Sequence, residues 1–138
     1  MFFSALILLA TALIATASPL RPQELVVISP NITYPTEAVS WPAGSTQTVT
    51  WDTTRIPPEA VNNKAMLLLG HYTTTWDADG NEVKSENLDI KHPLATGFNI
   101  TTGSKVITVP DTTPGKNYII VLFGDSGNVS PQFKIVKP

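Results

Sequence analysis

Ser126 carries the most suggestive chemistry in this chain. It stands in Phe123-Gly124-Asp125-Ser126-Gly127. Gly-Asp-Ser-Gly surrounds the nucleophile of trypsin-like proteases, and Phe-Gly-Asp-Ser opens the catalytic block of lipase-like esterases. A serine nucleophile needs a base within hydrogen-bond reach and a further group that orients the base. The protease pattern continues Gly-Gly-Pro, whereas Asn128-Val129-Ser130 follows here. The esterase block lies early in its chain, with its Asp and His far downstream. Here eleven residues follow Gly127 and none is a histidine; His71 and His92 both lie upstream. The run Gly124–Asn128 is rich in residues that suit tight turns. Ser126 is therefore expected in a loop, and no catalytic residue is expected anywhere in the chain.

Metal chemistry fares no better. Asp77-Ala78-Asp79-Gly80-Asn81-Glu82 faintly resembles a calcium loop. An EF-hand loop, however, carries its glycine at the sixth position and a glutamate at the twelfth. Here Gly80 is fourth, so a hairpin turn accounts for these residues more simply. Two histidines and no cysteines do not meet zinc-ligand spacing. Copper oxidases of polysaccharides use an N-terminal histidine, which a mature chain beginning near Ser18 lacks. Neither metal nor cofactor is expected.

Binding residues are better represented. Asn-x-Ser/Thr occurs at Asn31, Asn99 and Asn128, and in a secreted chain each is a candidate glycan acceptor. The two threonine sequons rank above Asn128, whose sequon precedes Pro131. Trp51 alternates into a strand interior and is expected in the core. Trp41 and Trp76 sit in turn-rich segments, "VSWPAGS" and "TTTWDADG". Aromatic faces bind the apolar C–H surfaces of sugars, so these two are the candidate ligand contacts, set against packing at the edge of the fold.

Such residues need a compartment and a scaffold. Residues 1–17 form an uncharged apolar run ending Ala15-Thr16-Ala17, which suits signal peptidase and leaves Ser18 as the new N-terminus. Its roughly 16 apolar residues fall short of the ~20 of a membrane span. Removing 17 of 138 residues leaves 121, enough for one domain over residues 18–138 with a single core. The nine basic and eleven acidic residues give a net charge of −2 and are scattered, so neither nucleic acid nor anionic membrane is an expected partner. With no cysteines, the hydrophobic core must hold the domain without disulfides.

Twelve prolines and eight glycines break the chain into short β-rich runs. These are Glu24–Ser29, Ser45–Trp51, Lys64–Tyr72, Glu82–Ile90, Ser104–Val109, Asn117–Phe123 and Pro131–Val136. About seven strands, each followed by turn signals, predict an all-β sandwich of the immunoglobulin or fibronectin III kind. Pro110–Tyr118 places a turn and then a tyrosine at the start of the sixth run, the pattern of a tyrosine corner. Period-2 alternation from Tyr118 sends Ile120 and Leu122 inward, and Ile119, Val121 and Phe123 outward. The third run is likewise apolar on both sides, since Met66, Leu67, Leu68 and Leu69 run consecutively, and adds to that outer patch. Soluble chains rarely expose so much apolar surface, and the segment from Trp76 to Gly103 is expected to fold across it. The competing expectation is a ligand or dimer surface there.

The succession "WPAG", "QTVTW", "MLLLG", "HPLATGFNI", "VITVP" and "YIIVLFGDSGNVSPQFKI" resembles the N-terminal domain of the fungal Kre/Knh-type cell-wall synthesis proteins. The same domain occurs in Ser/Thr-rich GPI-anchored surface glycoproteins. The similarity runs from about Val26 to Val136. It implies an immunoglobulin-like module of a secreted fungal protein, and a link to β-1,6-glucan assembly in the wall. Relatives often continue into a Ser/Thr-rich stalk and an anchor signal, whereas this sequence stops at "KIVKP", so neither is expected. The leading expectation is a non-enzymatic, extracellular wall-associated module whose partner is wall polysaccharide, such as β-glucan, or a wall protein. The alternative is a small secreted protein-interaction module or effector that binds no carbohydrate.

Overall fold

Runs of β-branched and aromatic residues bounded by Pro, Gly and Asn favour short paired strands, and the computed structural model is built of them. It describes residues 30–124 and 126–138. The expected strand Glu24–Ser29, the expected leader over residues 1–17 and Asp125 lie outside the described residues. Ten strands follow in order: β1 (Ile32–Tyr34), β2 (Ser40–Pro42), β3 (Thr46–Trp51), β4 (Lys64–Trp76), β5 (Glu82–Leu88), β6 (Ala95–Asn99), β7 (Ser104–Thr108), β8 (Gly115–Phe123), β9 (Gly127–Val129) and β10 (Phe133–Val136). Two single-turn 3-10 helices, Pro58–Ala60 and Ile100–Thr102, are the only helical elements among the described residues.

The chain is all-β and forms two sheets. β1, β3 and β7 make the smaller one, in that order. The larger runs β2-β10-β8-β4-β5, with β6 also paired to β4 and β9 to β8. All pairings are antiparallel except β2 with β10, which run parallel. The core lies between the sheets. Val49, Trp51 and Ile107 come from the smaller sheet, and Leu67, Leu69, Ile120, Leu122, Phe133 and Ile135 from the larger. Every second residue of β8 from Tyr118 enters this cluster, as the alternation predicts. Trp51 fills the core as expected and satisfies its indole by donating to the Ile100 carbonyl at 2.7 Å.

Four strands escape the sequence pattern because each is short or holds a residue that reads as a loop. β1 has three residues, β2 contains Pro42, β6 contains Gly97 at φ +71°, and β9 opens on Gly127. Their ladders depend on partners remote in sequence. The placement of Trp41 changes for this reason. Pairing of β2 beside β10 buries it to 1 % exposure, with its ring 4.7 Å from Phe133 and 6.0 Å from Tyr34. Trp41 is a core residue and offers no face to a ligand.

The segment from Trp76 to Gly103 also departs from expectation. β5 and β6 do not cross the outer face of the large sheet; they lie one after the other along the same edge of β4. A thirteen-residue β4 offers that edge a long row of backbone donors and acceptors, which pairing satisfies. Ile119 and Val121 face outward and are nonetheless buried. Leu88 contributes to this cover. A Cβ placed on Gly70 would come within 2.6 Å of Leu88 Cδ2 and 3.2 Å of Ile119 Cγ1, so Leu88 leans through the space that this glycine leaves open.

Candidate functional site

β8 pairs with β4 only as far as His71, opposite Tyr118. The β4–β5 ladder continues, from Gly70 opposite Leu88 to Trp76 opposite Glu82, without a bulge. Beyond His71 the two strands therefore leave the sheet as a two-stranded arm. From Thr73 to Asn87 every residue is exposed. The tip is a tight turn built by Asp77, whose Oδ1 accepts the backbone N–H of Asp79 at 3.0 Å and of Asn81 at 2.8 Å. Gly80 supplies the left-handed position at φ +80°. The carboxylate that suggested a calcium loop is thus spent on its own backbone.

The arm has two chemically different faces, because side chains alternate along each strand. One carries Tyr72, Thr74 and Trp76 on β4, opposite Glu86, Lys84 and Glu82 on β5. Lys84 Nζ lies 5.9 Å from the centre of the Tyr72 ring, and the Tyr72 hydroxyl donates to Glu86 Oε1 at 3.5 Å. Partial burial of the Tyr72 phenol, then the Glu86 charge and this hydrogen bond, push its pKa above the ordinary tyrosine value. The other face is uncharged apart from the titratable His71. It carries His71, Thr73 and Thr75 opposite Asn87, Ser85 and Val83. There Asn87 Nδ2 donates to the His71 carbonyl and to Thr73 Oγ1, each at 3.0 Å. Trp76, 69 % exposed, closes the arm at its tip.

At the arm's base the His71 ring lies 6.2 Å from the ring of Tyr118. Two shallow grooves of about 320 and 350 Å³ flank this pair, the first running toward Asn87 and Asp89, the second toward Lys116 and Asn117. The Tyr118 hydroxyl donates to the Thr113 carbonyl and also meets Thr112 Oγ1 at 3.1 Å. That is the corner contact the sequence predicts, a hydroxyl capping backbone just upstream of its own strand.

The remaining candidates scatter. Ser126 is half-buried in the turn joining β8 to β9, where its carbonyl accepts the Gly124 N–H at 3.2 Å. His71 sits opposite Tyr118, five residues down β8 from Phe123, which at the rise of a strand is roughly 17 Å away. His92 pairs with Asp89 in its own loop at 3.1 Å. Among the described residues no three His, Asp or Glu side chains cluster as a metal site would require. Asn31 is exposed and its Oδ1 accepts a hydrogen bond from Asn128 Nδ2 at 3.1 Å, bringing two sequons together. Asn99 stands apart, with its Oδ1 accepting from Lys64 Nζ at 2.7 Å. Tyr72, Lys84 and Glu86 did not stand out in sequence, although alternation on both sides of a tight turn would have put them on one face. No known protein family, curated protein or solved structure matches this chain.

Proposed function

We propose that this chain is a secreted, cell-wall-associated binding module without catalytic activity, and that its β4–β5 arm engages wall polysaccharide through Trp76. The observation that carries this reading is the arm itself. An isolated two-stranded ribbon is marginal in water, and this one spends its length presenting an exposed indole, three consecutive threonines and the Ser85 hydroxyl, Asn87 amide and charged side chains of β5. An exposed indole beside the Glu82 carboxylate and the Thr74 hydroxyl offers an apolar ring face and hydrogen-bonding groups together, which suits the stacked apolar face and equatorial hydroxyls of a β-glucan. Tryptophan, with an apolar ring and a polar N–H, is enriched at interaction surfaces, and Trp76 is 69 % exposed.

The immunoglobulin-like reading of the two sheets draws support from the Tyr118 corner and from the parallel pairing of β2 with β10, in which one edge segment leaves the small sheet to flank the last strand of the large one. Resemblance to the Kre/Knh-type domain, with its link to β-1,6-glucan assembly, is part of the same proposal. The separation of Ser126 from His71 supports a non-enzymatic role, since a serine without a base in reach is not activated. The experiment is retention on insoluble β-glucan. The secreted chain is expected to pellet with it and Trp76→Ala to remain in solution, with the two equally stable. A wild-type chain that does not pellet removes the polysaccharide reading and leaves the protein-interaction module as the better account.

A further inference from the structure

β5 is the terminal strand of its sheet among the described residues, and all of it except Leu88 is exposed. The Asp89 N–H donates to the Leu69 carbonyl on β4. Backbone groups of a strand alternate in direction, so Asn87, Ser85 and Val83 also face β4, while Glu82, Lys84, Glu86 and Leu88 turn their N–H and C=O groups to the free edge. The Leu88 carbonyl is taken by the Ile90 N–H at 3.1 Å. What remains is a straight, bulge-free row from Glu82 to Glu86. This edge is undistorted, and its charges at Glu82, Lys84 and Glu86 restrict which strand can pair with it.

We infer that this edge is a self-recognition surface, on which a second copy of the chain adds its own β5 antiparallel about a twofold axis at Ser85. Charge favours a second copy in this register over those one step away. The next complementary register, centred on Val83 with Lys84 opposite the partner's Glu82, would draw in Gly80, whose N–H is already given to the Asp77 carbonyl. Only residues whose backbone faces outward can form the hydrogen-bonded pairs of the new ladder, so the copies slide in steps of two. In the register centred on Ser85, Lys84 stands opposite the partner's Glu86 and Glu86 opposite the partner's Lys84. These side chains share one face, as their common contact with Tyr72 requires. One step in either direction sets Lys84 against Lys84 with Glu86 against Glu82, or Glu86 against Glu86. Opposite charges stabilise directly opposed cross-strand positions and like charges destabilise them. A twofold contact doubles whichever sign applies. The pairing joins two large sheets into one continuous sheet and places both Trp76 side chains in a single assembly.

The test uses the secreted mature chain in sedimentation equilibrium over a dilution series. A reversible dimer is expected. Lys84→Glu and Glu86→Lys should each weaken it about tenfold or more, and the double variant Lys84→Glu/Glu86→Lys, which restores opposite charges in the same register, should recover it. Ser85 and its symmetry mate form a pair without hydrogen bonds, close enough for a disulfide. The native chain has no cysteine, so Ser85→Cys should give a covalent dimer on mild oxidation, much faster than Thr48→Cys on the opposite sheet. A monomer at all concentrations overturns the inference, as does a double variant as weak as the singles. Backbone amides of β5 that gain exchange protection only on adding glucan overturn it too, and assign the edge to that ligand.

Discussion

Ser130, not Ser126, is the serine on which this fold depends. It is 5 % exposed, its Oγ accepts the Ile120 N–H at 2.9 Å, and its own N–H donates to the Ile120 carbonyl at 2.8 Å. The hydroxyl thus replaces a backbone acceptor where the last edge of the large sheet breaks between β9 and β10. Ser130→Ala leaves a buried N–H without a partner and should cost about 1–3 kcal/mol. Urea unfolding of unglycosylated protein checks this, because the substitution also removes the Asn128 sequon. Ser126→Ala, in a turn, should stay within about 0.5 kcal/mol of wild type in the same measurement.

Tyr72 gives a second test at this scale. Its folded pKa is raised, so the folded chain holds the phenolic proton more tightly than the unfolded chain does. The stability this contributes is fully present below the unfolded value near 10 and is lost as pH rises through the folded pKa. Glu86→Gln removes the charge beside the ring and should move this phenol's titration down in pH, while burial, the larger cause, keeps it above an exposed tyrosine. Phenolate absorbance in dilute protein reads the shift. An unmoved midpoint would disconnect Glu86 from the phenol.

Among the elements, β4 does the most to organise the molecule. Its first half is buried between β8 and β6, and its second half leaves the sheet with β5 alone. Gly70 marks the changeover. Its missing side chain admits Leu88 over the outer face, against Ile119, with the Asn87 carbonyl 3.3 Å from where a Cβ would stand. Gly70→Ala should therefore destabilise by about 1–3 kcal/mol through overpacking, despite the lower backbone entropy cost of alanine. Leu88→Ala relieves the clash, so the two substitutions together should cost less than their sum, and a double-mutant cycle in urea reports that coupling. Strict additivity would mean that Leu88 does not occupy the space over Gly70.

At the scale of the whole molecule, stability rests on one core between two sheets, since the chain contains no cysteine. Export is the condition for the proposed role. Secreted protein should begin at Ser18 and carry glycans at Asn31 and Asn99, read by N-terminal sequencing and by mass before and after deglycosylation. Mature protein that retains residues 1–17 would sink the proposal of a freely secreted module. Asn31 and Asn128 touch across the end of the two sheets, so a glycan at Asn31 would stand beside the β8–β9 turn, well separated from the arm. Glycosylation and arm binding are then independent, and deglycosylated protein should pellet with β-glucan as the native form does.

Much of this architecture follows from local pattern. The apolar runs of β3, β4, β7, β8 and β10 are legible because burial on a pleated strand imposes its own periodicity on the residues. The turn at Asp77–Asn81 is legible because Gly80 takes a left-handed φ and Asp77 bonds its own backbone, as few other residue types can. The corner tyrosine belongs with these, since a turn followed by Tyr118 is a local arrangement. β2 and β6 are different: Pro42 and Gly97 argue against strands, and only the hydrogen bonds offered by β10 and β4 make them so. Trp41 became a core residue and Trp76 an exposed one by the same cause, although both stand in similar turn-rich sequence. Where β5 lies, and hence which backbone groups remain open at its edge, depended on the length of β4 beyond the reach of β8. Long-range pairing is a property of two segments at once, and neither segment carries it alone.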